Sequence, residues 1–532
     1  MNTPNSDRPT MWQRSPTRRF LNWSFSWNGA HYFLITVAVI ITVIAAYYAE
    51  ENLRGRRAWA RCREQLEADG ATLDWKALIP KPVPDDQNFA ATPFIASWFV
   101  PSNHASTTGL NYWKNDNYGR AIAAVYSLEA PQKDGYRHFM DLVTWGAAFD
   151  AIRAGKLAPN RSAESGPLDR ESRVKAAPAV LEGLETNAAV LAELRAVSQR
   201  PYARYPVNYD VPEPFAILLP HLNGVRNICR RLQLEACAEL AVGQSEEALQ
   251  DVKLSLRVAD SLKGEPFLIS YLVRVACLHH AMQPIWEGLA EHAWSDAQLR
   301  ETETRLQQYD FVADLKPTFD AERSCGIGII DYIKHTGKVG ELTDSGRDEG
   351  LGIARLAPSG WLDQEQVSYC RLFDLQMAGA FDTAARRVFP RQLTSNERAL
   401  GRAFHDRNPF VVILVQHRVL SAMLLPALGR VVVKGATAQV ATDQAVLGCA
   451  LERYRLANGR FPETLGALAP QFTSQLPHDV ITGEPYKYRL TKDGRFVLYS
   501  VGWNEKDDGG VPGKTLFDEK EGDWVWQYPA EH

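Results

Sequence analysis

Two adjacent histidines, His279 and His280, have side chains whose type suits metal binding or proton transfer. They fall in a segment with helical periodicity. Neighbouring side chains there point about 100° apart, so the two rings cannot share one ligand site. A zinc helix instead carries His-Glu-x-x-His, which does not occur in this sequence. A Gly-x-Ser-x-Gly elbow and a Walker loop are also absent, and we predict no catalytic residue.

The cysteines could form disulfides or bind a metal, but they follow no recognisable pattern. None of them belongs to a Cys-x-x-Cys pair, and their number is odd, so neither a zinc site nor a disulfide framework is predicted. We expect most of these thiols to be buried as small hydrophobic groups. The cysteines are Cys62, Cys229, Cys237, Cys277, Cys325, Cys370 and Cys449.

Composition and charge place the chain among ordinary globular proteins. Its 532 residues are 45% hydrophobic and 23% charged, and a chain of this length predicts roughly two to four domains. The 59 basic and 63 acidic side chains give a net charge of -4. This balance gives no indication of a nucleic-acid-binding protein.

The most apolar segment runs without a charge from Tyr32 to Ala49. At a rise of about 1.5 Å per residue, a helix of this length just crosses the hydrocarbon core of a bilayer. A buried core helix and a cleaved signal peptide are the alternatives, although the polar segment before the run is long for a signal peptide. We therefore expect a disordered tail over residues 1–30 and a single transmembrane anchor over residues 31–49.

The charges that flank this span leave its orientation open. More arginines follow the span than precede it, which favours a cytoplasmic body by the positive-inside rule. Signal-anchor proteins with basic, polar tails, however, commonly keep the N-terminus inside. Together with the resemblance of the C-terminal part described below, this leads us to expect an extracytoplasmic, periplasmic body.

Residues 50–86 are predicted to connect the anchor with the body. The first part, residues 50–69, has the composition of a charged helix and is followed by Gly70. Prolines at positions 80, 82 and 84 favour extended backbone, so we expect a semi-rigid connector that lifts the body away from the membrane. Residues 87–176 lack a clear period and are predicted to be mixed and irregular.

Helical periodicity dominates residues 177–407, which we predict to be a bundle of helical hairpins. The connections at 243–244 and 263–265 are short, so neighbouring helices should be antiparallel. Ser295 and Gln298 have the spacing of a capping box. The glycine-rich segment 336–360 lacks the third glycine of a dinucleotide-binding fingerprint and predicts a flexible surface loop.

One short segment of this region carries a turn glycine and small residues at a characteristic spacing. Gly243 forms a turn after Leu240, Ala248 follows five positions later, and Ser255 stands seven positions beyond Ala248. In this spacing the segment resembles a tetratricopeptide unit. No second copy follows at the 34-residue period, so a repeat array is not predicted, and a plain helical hairpin is the alternative.

Residues 408–532 predict a long helix and a small α+β domain. The apolar stretch 408–425 is interrupted by Gln416, His417 and Arg418, which favours a core helix over a second membrane span. The next helix should end at Asn458 and Gly459. Two alternating strands flank a turn at 492–494, which predicts an antiparallel hairpin.

This order of elements resembles the globular domain of the major pseudopilins of type II secretion, in which a long helix packs on a small antiparallel sheet. The matching residues are Tyr454, Asn458, Gly459, Pro462, Leu476, Pro477, Asp479, Gly483, Pro485, Tyr486, Tyr488, Tyr499, Ser500 and Gly502. The apolar span lies far upstream of this part, so the resemblance implies a borrowed module, not a processed filament subunit. In its layout the whole chain also resembles uncharacterised membrane-anchored bacterial proteins.

The acidic loop after the last strand can hold calcium in the pseudopilin family. Asn504, Glu505, Asp507 and Asp508 occupy that region here, so the resemblance implies a calcium-binding loop. Calcium takes six or more oxygen ligands, and a solvated acidic turn is the alternative. No other cofactor is expected.

These features favour a membrane-anchored, non-enzymatic interaction or scaffold protein of the bacterial cell envelope. Its membrane contact would be the span that begins at Tyr32 and ends at Ala49, and its protein partner is unknown. The alternative is an envelope hydrolase whose active site cannot be recognised in the sequence.

Overall fold

The computed structural model describes residues 27–99, 138–155, 170–185, 188–337, 357–405, 417–425 and 428–527. It confirms three coarse features of the predicted fold. The chain is mainly helical, it begins with a long apolar helix, and it carries a small antiparallel sheet near the C-terminus.

Helix α1, Trp27–Ala68, joins the predicted anchor and the charged helix after it into one rod of 42 residues. By length and composition it can cross a membrane, and its apolar window is not buried within the structure. Residues 27–30, predicted to belong to the tail, are already helical, while residues 1–26 lie outside the described part. The exposed large side chains of the span include Tyr32, Phe33, Leu34, Ile35, Val39, Ile40, Ile41, Val43, Ile44 and Tyr47.

The body is built from further helices. They are α2 (Pro93–Ala96), α3 (Leu142–Arg153), α4 (Arg170–Leu184), α5 (Ala188–Val197), α6 (His221–Ala241), α7 (Ser245–Asp260), α8 (Leu268–Ala290), α9 (Asp296–Leu306), α10 (Leu315–Thr336), α11 (Ser359–Met377), α12 (Pro390–Ala403), α13 (Val419–Leu424) and α14 (Leu428–Asn458).

Several of these helices differ from the sequence prediction for local reasons. Helix α3 forms within the stretch predicted to be irregular, because Trp145 and Phe149 pack with Val180 of α4 in a small separate core. Helix α6 begins at His221, since Pro220 and the prolines before it interrupt the helical pattern of the preceding residues. Residues 338–356 of the glycine-rich segment and 408–416 of the predicted core helix lie outside the described residues.

The proline-rich stretch does not hang free between the anchor and the body. Arg200 donates to the carbonyl oxygens of Asp85 and Asn88, each at 3.0 Å, and Arg204 donates to that of Pro80 at 3.0 Å. These bonds hold the stretch against the body. The expectation that it lifts the body away from the membrane is therefore wrong, because α1 itself packs on the body.

Helices α6, α7 and α8 pack side by side as consecutive hairpins. Gly243 makes the first turn with a φ of +82°, a left-handed conformation that favours glycine. The predicted capping box is confirmed at the start of α9, where Ser295 accepts a bond from the Gln298 amide and the Gln298 side chain accepts one from the Ser295 amide.

Helix α14 runs through the centre of the main core, and every residue from 435 to 453 is buried. Several of its polar side chains bond to other elements. The side chain of Gln439 accepts from the Phe311 amide at 2.7 Å, and that of Gln444 donates to the Trp524 carbonyl at 2.7 Å. Arg453 donates to Glu303 of α9 at 2.9 Å.

The sheet packs on α14 near the C-terminus. Strands β1 (Phe381–Asp382) and β2 (Arg387–Val388) form a short ladder, and β3 (Lys487–Leu490), β4 (Phe496–Ser500) and β5 (Trp524–Gln527) form an antiparallel sheet in the order β3-β4-β5. Lys487 pairs with Tyr499, and Ser500 pairs with Trp524. The hairpin between β3 and β4 confirms the predicted strand pair.

Helix α1 crosses α11 at two glycines, where the two backbones touch. A Cβ atom on Gly360 would lie 2.2 Å from the Glu51 carbonyl oxygen, and one on Gly55 would lie 2.1 Å from the Gly360 carbonyl oxygen. The Asn52 side chain also accepts from the Gly360 amide at 2.8 Å. We call this contact the anchor junction; it fixes the second half of α1 on the body.

Replacing Gly360 with alanine should therefore destabilise the protein, because the added methyl group has no room. We expect a loss of about 2 kcal/mol in the free energy of unfolding, measured by chemical denaturation of the detergent-solubilised chain. Gly401→Ala is the matched control, since nothing lies within 4 Å of that exposed helical position. The control should be neutral or slightly stabilising, and equal effects of the two variants would contradict the close packing of the junction.

Candidate functional site

The predicted calcium loop lies at the surface between β4 and β5. Asn504 donates to Asp508 at 3.3 Å, Glu505 forms an ion pair with Arg391 at 2.9 Å, and Asp507 accepts from Tyr499 at 3.0 Å. Each side chain thus has its own contact within the protein. Calcium binding by this loop stays a prediction.

A buried carboxylate beneath this loop was not anticipated from the sequence. Asp523 is 1% exposed and accepts bonds from the backbone amides of Asp508 at 3.2 Å and Gly510 at 2.7 Å. It holds the loop closed from below. The sequence around Asp523, which precedes Trp524 at the start of β5, did not indicate a buried carboxylate.

The two adjacent histidines have separate surroundings, as their spacing predicts. His279 lies against the ring of Phe517, with the ring centroids 5.4 Å apart, and Nδ1 of His280 is 2.7 Å from the Gln233 side-chain oxygen. Burial lowers the pKa of His279 to about 4 and that of His280 to about 3. Both rings are therefore neutral at physiological pH.

Three carboxylates converge between α6 and α7. Glu235 and Glu239 stand on consecutive turns of α6, and Asp251 faces them from α7. Each offers one oxygen, and these oxygens lie within 4.8 Å of one another. Among the residues that the structure describes, this is the one group of three or more acidic, histidine or cysteine side chains with ligand atoms this close. We call it the acidic cluster.

Two arginines partly balance the charge of the acidic cluster. Arg195 of α5 contacts Oδ1 of Asp251, and Arg231 lies 3.3 Å from Oε2 of Glu235. Burial, followed by repulsion from Asp251 and Glu235, raises the pKa of Glu239 to about 9. Burial and the charge of Glu235 raise the pKa of Asp251 to about 7. The cluster therefore holds a proton at neutral pH unless a cation replaces it.

Sequence analysis missed this cluster because it depends on how α6 and α7 face each other. The pair Glu235 and Glu239 has the spacing of one helix face, and such pairs are common on solvated surfaces. Only the hairpin turn at Gly243 brings Asp251 to the same point. The sequence feature that could have indicated the cluster is a short turn between two helices that both carry acidic residues.

The anchor junction also brings together two thiols that are far apart in the sequence. Cys62 of α1 is half-buried and accepts a hydrogen bond from the Cys370 thiol of α11. This bond, together with the charges of Arg371 and Arg323, lowers the pKa of Cys62 to about 7. The hydrogen bond and burial raise the pKa of Cys370 well above its usual value. The other cysteines are buried, as predicted.

No family model, curated protein or solved structure matches this chain. The tetratricopeptide-like and pseudopilin-like resemblances therefore stay predictions, as does the likeness to uncharacterised membrane-anchored bacterial proteins.

The Cys62 thiol should react with iodoacetamide along a pH profile centred near pH 7, its lowered pKa. Below that pH the protonated thiol reacts slowly, and above it the thiolate fraction reaches a plateau. Cys370→Ala removes the hydrogen-bond donor and should shift the profile toward about pH 8.5, the ordinary thiol value. The rate is measured by mass spectrometry of the Cys62 peptide.

Cys325→Ala, which removes a buried thiol elsewhere in the body, is the matched control and should leave the profile unchanged. An identical profile for the wild-type chain and Cys370→Ala would show that the two thiols do not interact.

Proposed function

We propose that this chain is a membrane-anchored, non-enzymatic interaction or scaffold protein of the bacterial cell envelope. The observation that carries the proposal is helix α1, which runs without interruption from an exposed apolar segment into a close contact with the body. A lipid environment accounts for the first half of this helix, and the anchor junction accounts for the second half.

The exposure pattern along α1 supports membrane anchoring. Large apolar side chains from Tyr32 to Tyr47 face outward all round the helix, an arrangement that water would disfavour and lipid would favour. The pattern changes at the end of the span. Glu51 is only 5% exposed and accepts bonds from Arg54 at 3.0 Å and from Gln364 of α11 at 3.2 Å.

The second apolar helix supports a single span. Helix α14 is also long and apolar, but it is buried in the main core and bonded through polar side chains such as Gln439. A core role accounts for its composition, so we propose one membrane crossing.

A group of exposed apolar side chains on the body supports a protein partner. Phe215 and Leu218 precede α6, and Ile269 lies at the start of α8; all three are about half exposed or more. The two segments are held together because Glu265 accepts from Ser270 at 2.5 Å and pairs with His221 at 2.7 Å. We propose this apolar surface as the partner-binding site and the pseudopilin-like tail as an assembly module.

The hydrolase alternative has less support from the geometry. The acidic cluster would supply its acids, but Asp251 is completely buried. One cavity, lined by Glu265, Arg274 and Asp314, has a volume of about 190 Å³. This is smaller than the roughly 300–1,000 Å³ of typical ligand pockets. Arg274 and Asp314 are also paired with each other there at 2.6 Å.

We further propose that the body lies outside the cytoplasm, in the periplasm. The support is the basic, polar tail before the span and the pseudopilin-like order of elements near the C-terminus. A C-terminal fusion to alkaline phosphatase, which is active only outside the cytoplasm, tests this orientation.

Membrane anchoring predicts that alkaline carbonate washing leaves the full chain in the membrane pellet. Replacing both Ile40 and Ile44 with lysine should release it or prevent insertion, since each lysine at the centre of a span costs about 2.5–3.5 kcal/mol. Val511→Lys places the same charge at an exposed apolar position of the body and should have no effect. Release of the unmodified chain into the supernatant would overturn the proposal.

Partner binding predicts a species that co-purifies with the full chain from detergent-solubilised membranes. Exchanging Phe215 and Leu218 for glutamate should reduce its recovery severalfold, because the charges oppose an apolar contact. Leu456→Glu alters another exposed apolar side chain and serves as the control. Recovery of free monomer alone, in the unmodified chain, would count against the interaction role.

A further inference from the structure

We propose that the acidic cluster of Glu235, Glu239 and Asp251 binds one hard divalent cation, with calcium preferred, between helices α6 and α7. This proposal does not depend on the anchoring or partner-binding role. It rests on where the carboxylate oxygens lie, on which of them have partners, and on the charge around them.

The first observation is the spacing of the oxygens, which lie within 4.8 Å of one another. Calcium binds oxygen ligands at about 2.3–2.6 Å, so two ligands on opposite sides of the ion are about 5 Å apart. Magnesium binds at about 2.0–2.1 Å and demands a near-ideal octahedron, whereas calcium accepts irregular arrangements of carboxylate oxygens. Because two helices fix the positions of these carboxylates, the cluster suits calcium better than magnesium.

The second observation is that one oxygen of each carboxylate is buried without a hydrogen-bond partner. These atoms are Oε2 of Glu235, Oε2 of Glu239 and Oδ2 of Asp251. Asp251 is fully buried, and Glu239 is only 8% exposed. Oε2 of Glu235 has only the 3.3 Å ion pair with Arg231 to offset its burial, and the oxygens of Glu239 and Asp251 have no such contact. Burying carboxylate oxygens without a hydrogen bond is costly, and a cation among them would satisfy all three.

The third observation is the balance of charge. Arg195 pairs with the other oxygen of Asp251, and Arg231 pairs with Glu235. Glu247 in the first turn of α7 adds a further negative charge that acts on Glu239. When ionised, the three carboxylates of the cluster outnumber the two guanidinium groups, and the exposed Glu247 adds to this negative excess, which favours a bound cation.

The remaining ligands would be water molecules, as is common where a protein supplies only some of the six to eight oxygens. Access is available on one side, because the Glu235 side chain is partly exposed while Asp251 closes the other side. The ion would tie α6 to α7 directly, and through Arg195 it would also fix α5. Calcium would thus rigidify this hairpin.

The test uses the full chain in detergent, treated with a chelator and then titrated with Ca²⁺ by calorimetry. We expect saturable binding of one ion at the cluster and a rise in the unfolding temperature. Glu239→Gln keeps the shape of the side chain and should weaken the affinity at least about tenfold. Glu171→Gln, which changes an exposed glutamate of α4 in the same way, should bind like the unmodified chain.

A second variant separates this site from the acidic loop. Asp507→Asn combined with Asp508→Asn should leave the affinity of the cluster unchanged. If the loop variant loses calcium binding while Glu239→Gln keeps it, the proposal is wrong. It is also wrong if the unmodified chain binds neither Ca²⁺ nor Mn²⁺ up to about 10 mM, above the range of weak extracellular calcium sites. Glu235→Gln repeats the test should Glu239→Gln fail to fold.

Discussion

The whole body depends on one buried helix that carries polar groups into the core. Helix α14 has no exposed face between residues 435 and 453, so each polar side chain there must find a partner inside the protein. Gln439 bonds to the segment before α10, Gln444 to β5, and Arg453 to α9. Because hydrogen bonds are directional, these contacts orient the helices and the sheet around α14.

The proposed functional features lie on elements other than α14. The anchor junction joins α1 to α11 by direct backbone contact, while the acidic cluster lies between α6 and α7. The apolar surface at Leu218 lies just before α6. The proposed apolar surface and the proposed cation site thus lie at opposite ends of α6.

Local patterns predicted the elements that depend on local chemistry. The apolar span, the capping box at Ser295 and the hairpin between β3 and β4 each carry their signal within a few residues. Features that need distant segments escaped prediction. Nothing in the sequence places Cys62 beside Cys370, or Asp251 opposite Glu239, because these pairs depend on how helices face each other across the fold. Helix α3 was missed because it is short and because the core that it forms depends on residues of α4 in another segment.

The length of α1 also limits where this protein can act. Its 42 residues correspond to a rod of about 63 Å, and the proposed membrane span would take up about 30 Å of that length. The rest of the helix packs on the body, so no flexible linker separates the proposed span from the body. A domain on a flexible linker samples a volume around its anchor, and the length of the linker sets its effective concentration at a binding site. This one would stay at a constant height above the bilayer, and tilting of the span would turn the body with it.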